Sequence, residues 1–341
     1  MKIASILNKI KRYGPMGLSY VLGMERVPPP RHIHLEITNI CNFRCVYCPQ
    51  SRPEEHFRII GKGKMSFDTF KTILDKLLSV YKFERLVLTR DGEPLVHPRL
   101  TDFVAYAYSK GVRTTIGSNG SLISKEKAQG LLANGLYSVK GDLCADSAYY
   151  EKVRAGGKFE DALNGYRNLL QAAKECDADF RLVLVDLYSY QLNTPEEISE
   201  SITRLKDLFN GYERWISVGP AKMHNALGEA QETFSVSKRQ PNNKYNRCHH
   251  PWLEMVIDYR GNVVGCCRDL RSEYQVGNIL QAGDIDKDIW NGEKMRFLRR
   301  SLRDRKPEQI NICSKCDLPY GESYAGKTIS GKIKRFLFEQ A

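Results

Sequence analysis

The residues best suited to chemistry are three cysteines, Cys41, Cys45 and Cys48, spaced C-x3-C-x2-C directly after a short apolar stretch. Three thiolates on one compact loop can hold three corners of a [4Fe-4S] cluster, which leaves the fourth iron open to a small molecule. A zinc site or a set of structural thiols is the alternative, but zinc sites favour paired C-x2-C units with a nearby fourth ligand. This loop has no such ligand, so the spacing predicts an iron-sulfur site with one exchangeable position.

The cysteine loop resembles that of the radical S-adenosylmethionine (radical SAM) superfamily, which reads C-x3-C-x-aromatic-C, with Tyr47 as the aromatic residue. The resemblance implies S-adenosylmethionine (SAM) as a cofactor, bound to the open iron through its amino and carboxylate groups. It also implies that an electron from the cluster cleaves SAM and that the resulting 5'-deoxyadenosyl radical abstracts a substrate hydrogen atom. Tyr47 is then a cofactor contact, and an electron donor such as flavodoxin or ferredoxin is an expected partner.

A second motif, Asp91-Gly92-Glu93-Pro94, follows the second predicted strand and resembles the G-G-E-P loop of the superfamily. The resemblance implies that Gly92 and Glu93 help to hold the SAM amino group. Asp91 stands where the family has its first glycine, which puts one backbone contact in doubt. An ordinary turn is the alternative for this loop.

Two further segments resemble SAM-binding elements of the family. Ser118-Asn119-Gly120 is similar to its T-N-G or S-N-G element, which implies hydrogen bonds from Ser118 or Asn119 to the SAM ribose or carboxylate; a plain turn is the alternative. Arg154 lies in a Y-x-x-x-R-G-like segment whose arginine pairs with the SAM carboxylate, as a guanidinium does well. A surface arginine is the alternative reading of Arg154.

A second group of thiols lies in the last third of the chain, and the segments around it resemble the SPASM/twitch auxiliary domain of radical SAM enzymes. The shared segments are a G-x-V-x-x-C hairpin, a V-G-N-I segment and an I-W-N element. Four thiolates saturate one [4Fe-4S] cluster, so the resemblance implies a single, fully ligated auxiliary cluster, with a structural zinc site as the alternative. The four expected ligands are Cys248, Cys266, Cys313 and Cys316.

Three other residues are candidates for the substrate side of the reaction. Cys267 is adjacent to a predicted ligand and is either a buried, inert thiol or a donor of a hydrogen atom to a substrate radical. Cys144, after the fourth predicted strand, is the competing donor. Lys140 is expected at the barrel mouth, where it either meets an anionic substrate group or is solvated.

The elements that must position these residues alternate between strand and helix patterns. Repeated βα units imply a parallel sheet with right-handed crossovers, and six of them predict an α/β fold, a partial (β/α)6 TIM barrel of the superfamily type. The polar segment 51–64 is predicted to be a flexible loop, and Pro28-Pro29-Pro30 is predicted to end the first helix. Strands are predicted at 32–38, 85–89, 112–117, 136–140, 180–186 and 213–218, and helices near 67–78, 99–110, 124–133, 159–174 and 195–209.

The sequence predicts four regions: a basic amphipathic segment over 1–31, the barrel over 32–230, a small C-terminal SPASM/twitch cluster-binding domain over 245–325 and a basic segment over 326–341. The net charge is +12, and residues 1–20 carry four basic and no acidic side chains. The two basic segments either pack on the barrel or contact a membrane surface or partner. No signal peptide or long apolar run is present, and most of the ten cysteines fall in metal-type clusters, so a cytoplasmic location is expected.

The expected function is radical chemistry on a small polar molecule such as a sugar, cyclitol, aminoglycoside or nucleotide-linked sugar, giving epimerisation or dehydrogenation. The predicted barrel begins by residue 32, too early for a separate leader-peptide-binding domain, which favours a small substrate. The excess of basic groups is compatible with an anionic substrate, and no nucleic acid is expected as a partner. The alternative is a maturase that modifies a peptide or protein with the same clusters.

Overall fold

The protein is described by a computed structural model for residues 14–83, 85–221, 227 and 245–320. The strands are β1 (His32–Leu35), β2 (Arg85–Val87), β3 (Arg113–Gly117), β4 (Leu136–Leu143), β5 (Arg181–Asp186), β6 (Ile216–Pro220), β7 (Glu254–Ile257), β8 (Asn262–Val264) and β9 (Gln275–Asn278). The helices are α1 (14–22), α2 (Pro53–Ile60), α3 (Phe67–Val80), α4 (Leu100–Ser109), α5 (Lys125–Ala133), α6 (Ser147–Val153), α7 (Phe159–Glu175), α8 (Pro195–Asp207), α9 (His250–Leu253), α10 (Glu293–Arg303) and α11 (Asn311–Ser314).

The strands form one sheet in the order β6-β5-β4-β3-β2-β1-β7-β8-β9. All pairs from β6 to β7 are parallel, and β8 and β9 add an antiparallel extension. Helices follow strands β2 to β5, as the predicted βα repeats require. The predicted α/β fold with six consecutive parallel strands is therefore confirmed.

The alternation of side chains along each strand separates a helix-covered face from a concave face. Ile33, Leu86, Ile116 and Val139 are fully buried under the helices. The neighbouring positions point to the concave face, where polar residues such as Lys140 and Asp142 lie. The C-terminal ends of the strands carry the loops that the sequence marks as functional.

Two local predictions were wrong. Segment 51–64 is not an irregular loop, because α2 occupies most of it, beginning at Pro53 and burying His56 and Ile60. The first helix ends at residue 22, before Pro28, because Gly23 adopts a positive φ of 65°. The amide groups of Gly23 and Met24 bond back to the carbonyls of Tyr20 and Ser19, an arrangement typical of a glycine C-cap.

The C-terminal part is joined to the barrel through the pairing of β1 with β7, so both share one sheet. The I-W-N element anchors the segment that leads into β1. Trp290 donates its indole N–H to the Pro28 carbonyl at 2.8 Å, and the Asn291 side chain bonds both the amide and the carbonyl of Val27. These bonds therefore fix the segment before β1, and they do not involve either thiol loop.

Among the described residues, no helix is long and apolar enough to cross a membrane. The basic C-terminal segment lies outside the described residues, as do the four basic side chains of residues 1–20.

Candidate functional site

The loops after β1, β2 and β3 meet at one end of the sheet and interlock there. The Cys41–Cys48 loop is held by backbone bonds from Arg44 to the Ala155 carbonyl at 2.7 Å and from Val46 to the Val153 carbonyl at 3.1 Å. The segment that contains Arg154 thus holds the cysteine loop through these two backbone bonds. The structure brings the predicted cluster loop and the predicted SAM-binding arginine together.

The three thiols of this loop suit an iron-sulfur cluster. The amide of Phe43 lies 3.4 Å from the Cys41 sulfur, and the Arg154 guanidinium lies 3.1 Å from the Cys45 sulfur. Such N–H donors stabilise metal-bound thiolates. Burial raises the pKa of the Cys41 thiol to about 12 and also raises the pKa of Cys48. Metal must therefore displace protons as it binds, as it does at protein thiols generally.

Gly92 allows the loop after β2 to lie directly against the cysteine loop. A Cβ at this position would lie 2.5 Å from the Thr38 carbonyl oxygen and 2.7 Å from the backbone of Ile40. The amide of Glu93 then donates to the Ile40 carbonyl at 2.9 Å. A residue larger than glycine cannot occupy this position unless one of the two loops moves.

Glu93 is buried between two loops and uses both carboxylate oxygens. It accepts hydrogen bonds from the amides of Leu95 at 3.1 Å and Asn119 at 2.8 Å. Burial raises the pKa of Glu93 to about 7, although these amides oppose that shift. A carboxylate at this position has the correct charge for an ammonium group, and its charge depends on pH near neutrality.

Asn119 connects the third loop to the cysteine loop, and Ser118 organises the turn within the third loop. The Asn119 side-chain amide donates to the Asn42 side chain at 2.9 Å, and Asn42 donates to Ser121 at 3.0 Å. The Ser118 hydroxyl accepts from the Gly120 amide at 3.0 Å. The side chains of Ser118 and Asn119, which the resemblance implies as SAM contacts, thus hold the loop after β3 in shape. This loop lies beside the cysteine loop.

Arg154 forms the centre of a buried polar cluster with Tyr47 and Asp142. Its guanidinium makes an ion pair with Asp142, and the Tyr47 hydroxyl lies 3.4 Å from the other Asp142 oxygen. The Arg154 guanidinium carbon lies 5.4 Å from the centre of the Tyr47 ring. The Arg154 Nε is buried with no hydrogen-bond partner among the described residues. A guanidinium with an unused donor suits the SAM carboxylate. The sequence did not single out Asp142, because its partners are distant along the chain.

Asp91 replaces the first glycine of the G-G-E-P pattern and has two partners in the segment after the cysteine loop. Its carboxylate lies 2.7 Å from His56 Nε2 and 3.2 Å from the Gln50 amide, and the side chains of Asp91 and His56 are fully buried. Gln50 also bonds the Asn39 carbonyl at 2.9 Å. Asp91 therefore ties α2 and the cysteine loop to β2, a role that sequence reasoning missed.

The concave face below these loops carries charge. Lys140 is partly buried and has no hydrogen-bond partner among the described residues. Burial and the nearby Arg85 lower the pKa of Lys140, whereas Glu254 on β7 opposes that shift. Cys144 is fully buried, and its thiol donates to the Asp146 carbonyl at 3.2 Å. Lys140 is thus partly exposed on this face, whereas Cys144 is not exposed.

The four predicted auxiliary ligands line one cavity. Cys248 precedes α9, Cys266 follows β8, Cys313 lies in α11 and Cys316 follows it. The rest of the lining is largely apolar and includes Leu298, Leu302 and Ile312. Burial raises the pKa of Cys313 to about 12 and that of Cys316 to about 11. Four thiols around one apolar cavity fit a fully ligated [4Fe-4S] cluster.

Cys267 lies beside this cavity and turns towards the barrel. Its sulfur lies 3.7 Å from Nδ1 of His250, which in turn lies 2.9 Å from Glu254. Burial alone would lower the pKa of His250, but Cys267 and Glu254 raise it to about 10. The sequence marked Cys267 as a spare thiol, and it missed both His250 and Glu254.

Comparisons with known proteins agree with this geometry. Residues 35–185 match the family described as the Radical SAM superfamily, and residues 248–317 match the SPASM family, described as an iron-sulfur cluster-binding domain. Mycofactocin maturase MftC of Mycobacterium ulcerans (strain Agy99) is 27% identical over 321 residues, which cover 87% of this chain and 83% of the relative. An AdoMet-dependent heme synthase of Methanosarcina barkeri is 27% identical and covers 70% of this chain and 62% of the relative.

Solved structures share the fold. The crystal structure of BtrN in complex with AdoMet and 2-DOIA has a TM-score of 0.56 at 20% identity, covering 85% of this chain and 94% of that chain. Streptococcus suis SuiB bound to the precursor peptide SuiA has a TM-score of 0.50 at 14% identity, covering 87% and 70%. The chain belongs to the radical SAM superfamily, has a C-terminal SPASM-type iron-sulfur domain, and uses SAM and two [4Fe-4S] clusters as cofactors.

Proposed function

We propose that this radical SAM enzyme is a maturase that modifies a peptide substrate. The observation that carries the proposal is the extent of the likeness to mycofactocin maturase, which spans 87% of this chain and 83% of that protein. A likeness of this extent includes both cofactor domains. Peptide modification, which the sequence offered only as the alternative, is therefore better supported than a free sugar or cyclitol.

The chain's own residues have separable tasks in such a reaction. When bound, the first cluster and SAM supply the radical that abstracts hydrogen. Arg154 and Glu93 would hold the carboxylate and amino groups of SAM, because each offers the opposite charge in a buried setting. The interlocked loops around Gly92 and Asn119 would fix the orientation of the cofactor relative to the concave face.

On the concave face, Lys140 would receive an anionic or carbonyl group of the substrate. Lys140 lies on β4 two residues before Asp142, which contacts Arg154. It is therefore further from the C-terminal end of the strand than the residues that would hold SAM. A partly buried cation without a protein partner is costly, and an anionic ligand group offsets that cost. A peptide offers such groups in its carboxylates and backbone carbonyls.

A small polar ring compound, meaning a sugar, cyclitol, aminoglycoside or nucleotide-linked sugar, is the second candidate substrate. The fold likeness to BtrN, whose structure contains 2-DOIA, favours it, and so does Lys140, which would suit an anionic group on such a molecule. Epimerisation would need a hydrogen donor, with Cys267 and Cys144 as the candidates, whereas dehydrogenation would not.

The test is a substrate screen with the anaerobically reconstituted enzyme, SAM and a chemical reductant. One arm contains encoded peptides and the other contains polar ring compounds, and each is scored by stimulated 5'-deoxyadenosine release and by a mass change in the substrate. We expect peptides to give both signals and the variant with Cys41, Cys45 and Cys48 all changed to alanine to give neither. Turnover of ring compounds alone would overturn the peptide proposal in favour of the second candidate.

The type of reaction is read from the same experiment in deuterated water. Deuterium at one carbon of an otherwise unchanged product indicates return of a hydrogen atom, and a product of lower mass indicates dehydrogenation. In the first case, loss of product from Cys267→Ala with continued SAM cleavage would identify Cys267 as the donor. Undiminished product from that variant would show that Cys267 is not the donor.

A further inference from the structure

Three side chains of different chemistry converge where the barrel meets the C-terminal domain. His250 Nδ1, a Glu254 carboxylate oxygen and the Cys267 sulfur all lie within 4.8 Å of one another. The nitrogen lies 2.9 Å from the oxygen and 3.7 Å from the sulfur. None of the three is among the seven thiols expected to bind the clusters.

Short elements of the C-terminal domain fix this geometry. His250 begins α9 and Glu254 begins β7, so the two are four residues apart with only one turn of helix between them. Cys267 directly follows Cys266, whose sulfur lines the four-thiol cavity. The Cys267 side chain contacts that of Cys266, and His250 lines the same cavity, so the three-residue cluster adjoins the four-thiol cavity. On the adjacent strand β1, His34 Nε2 lies 3.7 Å from the same Glu254 oxygen.

The arrangement does not match a relay of the Cys-His-carboxylate type. In such a relay the thiol and the carboxylate contact opposite nitrogens of the imidazole ring, so that a proton can pass between them. Here the sulfur and the carboxylate oxygen both approach Nδ1, which has only one lone pair or one proton to offer. Both cannot be satisfied by the ring alone.

The arrangement does match ligands around a common point. Zinc binds His nitrogen and carboxylate oxygen at about 2.0–2.2 Å and Cys sulfur at about 2.3 Å, which places tetrahedral ligands about 3.3–3.6 Å apart. The separation of nitrogen and oxygen, 2.9 Å, is shorter than that range and the separation of nitrogen and sulfur, 3.7 Å, is slightly longer, while all three donor atoms lie within 4.8 Å of one another. A mixed N, O and S donor set favours zinc over magnesium or calcium, which prefer oxygen alone.

We propose that His250, Glu254 and Cys267 bind one zinc ion, at a site that adjoins the auxiliary cavity but uses none of its four thiols. His34, whose Nε2 lies 3.7 Å from the same Glu254 oxygen, is the candidate for the fourth position. The site stands independently of the peptide proposal, because its ligands are defined by the chain alone. It excludes Cys267 as a hydrogen-atom donor, because a zinc-bound thiolate has no S–H bond.

The test uses the anaerobically reconstituted holoenzyme exposed to zinc ion and then desalted. We expect about one zinc per chain beside about eight irons, and a zinc X-ray absorption spectrum with a single sulfur and otherwise nitrogen or oxygen ligands. Four sulfur ligands would place the zinc in the auxiliary cavity and overturn the proposal. Failure to retain zinc in a protein with eight irons would also overturn it.

Variants identify the ligands. Glu254→Gln and Cys267→Ser should each lower the retained zinc at least tenfold while about eight irons remain. Cys176→Ser, which changes an exposed thiol at the end of α7, is the matched control and should retain zinc fully. Unchanged zinc in both ligand variants would contradict the assignment. The absorption spectrum of the unaltered enzyme decides the question even if one variant does not fold.

Discussion

At the scale of single residues, the site combines groups that the sequence reveals with groups that it does not. Cys41, Cys45 and Cys48 could be identified from spacing alone, because three thiols on one loop have few other uses. Asp142 and His56 could not, because each acquires its role from a partner far away in sequence. Asp142 meets Arg154 only after β4 and α6 have formed, and His56 meets Asp91 only when α2 packs on the loop after β2.

Glu93 makes the binding of SAM depend on pH. Burial raises the pKa of its carboxyl to about 7, so the group is mostly neutral below that value and mostly charged above it. A neutral carboxyl accepts hydrogen bonds from the N–H groups of the SAM amine more weakly than a carboxylate does, and SAM affinity should therefore rise as pH increases. With the ionised fraction changing about tenfold between pH 6 and pH 8, we expect a change in Kd of about that size.

Titrations of SAM into the reconstituted enzyme across this pH range check the Glu93 prediction. Glu93→Gln has no group that titrates there, so its Kd should follow only the ionisation of SAM itself. The iron content of both proteins is measured alongside, which separates a change in SAM binding from a loss of the cluster. Equal pH dependence in the two proteins would show that Glu93 does not control SAM affinity.

At the scale of elements, hydrophobic periodicity predicted the order of strands and helices and most of their positions. It failed for α2, whose sequence is polar and whose buried face depends on His56 bonding to Asp91 rather than on an apolar stripe. It also placed the end of the first helix too late, because the glycine cap at Gly23 acts before the prolines do. Patterns of apolar residues cannot reveal helices held by buried polar contacts.

We expect the loop after β2 to position the first cluster through its backbone contact with the cysteine loop. A substitution at Gly92, where the two backbones meet, tests this. In Gly92→Ala, the new Cβ would lie 2.5 Å from the Thr38 carbonyl oxygen, which is backbone and cannot rotate away. The cysteine loop must then shift and its three thiols lose their common geometry. We expect reconstituted iron to fall from about eight to about four per chain, because the auxiliary ligands are unaffected.

Gly130→Ala is the matched control for this prediction. Gly130 lies within α5, and a Cβ there would meet nothing within 4 Å. Alanine inside a helix should leave the iron content unchanged and raise the free energy of unfolding by about 1 kcal/mol. Full iron content in Gly92→Ala would show that the loop after β2 does not position the cluster.

At the scale of the whole molecule, the barrel and the C-terminal domain are joined by more than a linker. The parallel pairing of β1 with β7 makes the sheet continuous, and Arg271 reaches from the C-terminal domain to Glu55 on α2 at 3.0 Å. The sequence predicted two domains, and the shared sheet could not be predicted because it depends on pairing between strands more than 200 residues apart.

Arg90 is the buried residue that connects the loops of the two cofactor sites. Its guanidinium bonds Glu36 at 2.7 Å, the Asp269 carbonyl at 2.5 Å and the Ser272 hydroxyl at 3.2 Å. Asp269 and Ser272 follow Cys267 closely, and Arg90 directly precedes Asp91. The Arg90 side chain therefore joins the loop after β2 directly to the loop that contains Asp269 and Ser272.

Arg90→Met should loosen both loops and destabilise the whole chain. It leaves the fully buried Glu36 carboxylate without its cation, and the loss of one partner of a buried ion pair costs about 3–5 kcal/mol. Urea unfolding followed by tryptophan fluorescence measures this loss, since Trp215 reports on the barrel and Trp252 and Trp290 on the C-terminal domain. Hydrogen exchange should rise at residues 269–272 as well as in the loop after β2.

The double variant Glu36→Gln, Arg90→Met removes the unpaired charge, so it should recover part of the lost stability but not the protection at 269–272. Faster exchange confined to the barrel would show instead that Arg90 stabilises β1 and β2 alone and leaves the auxiliary loop independent.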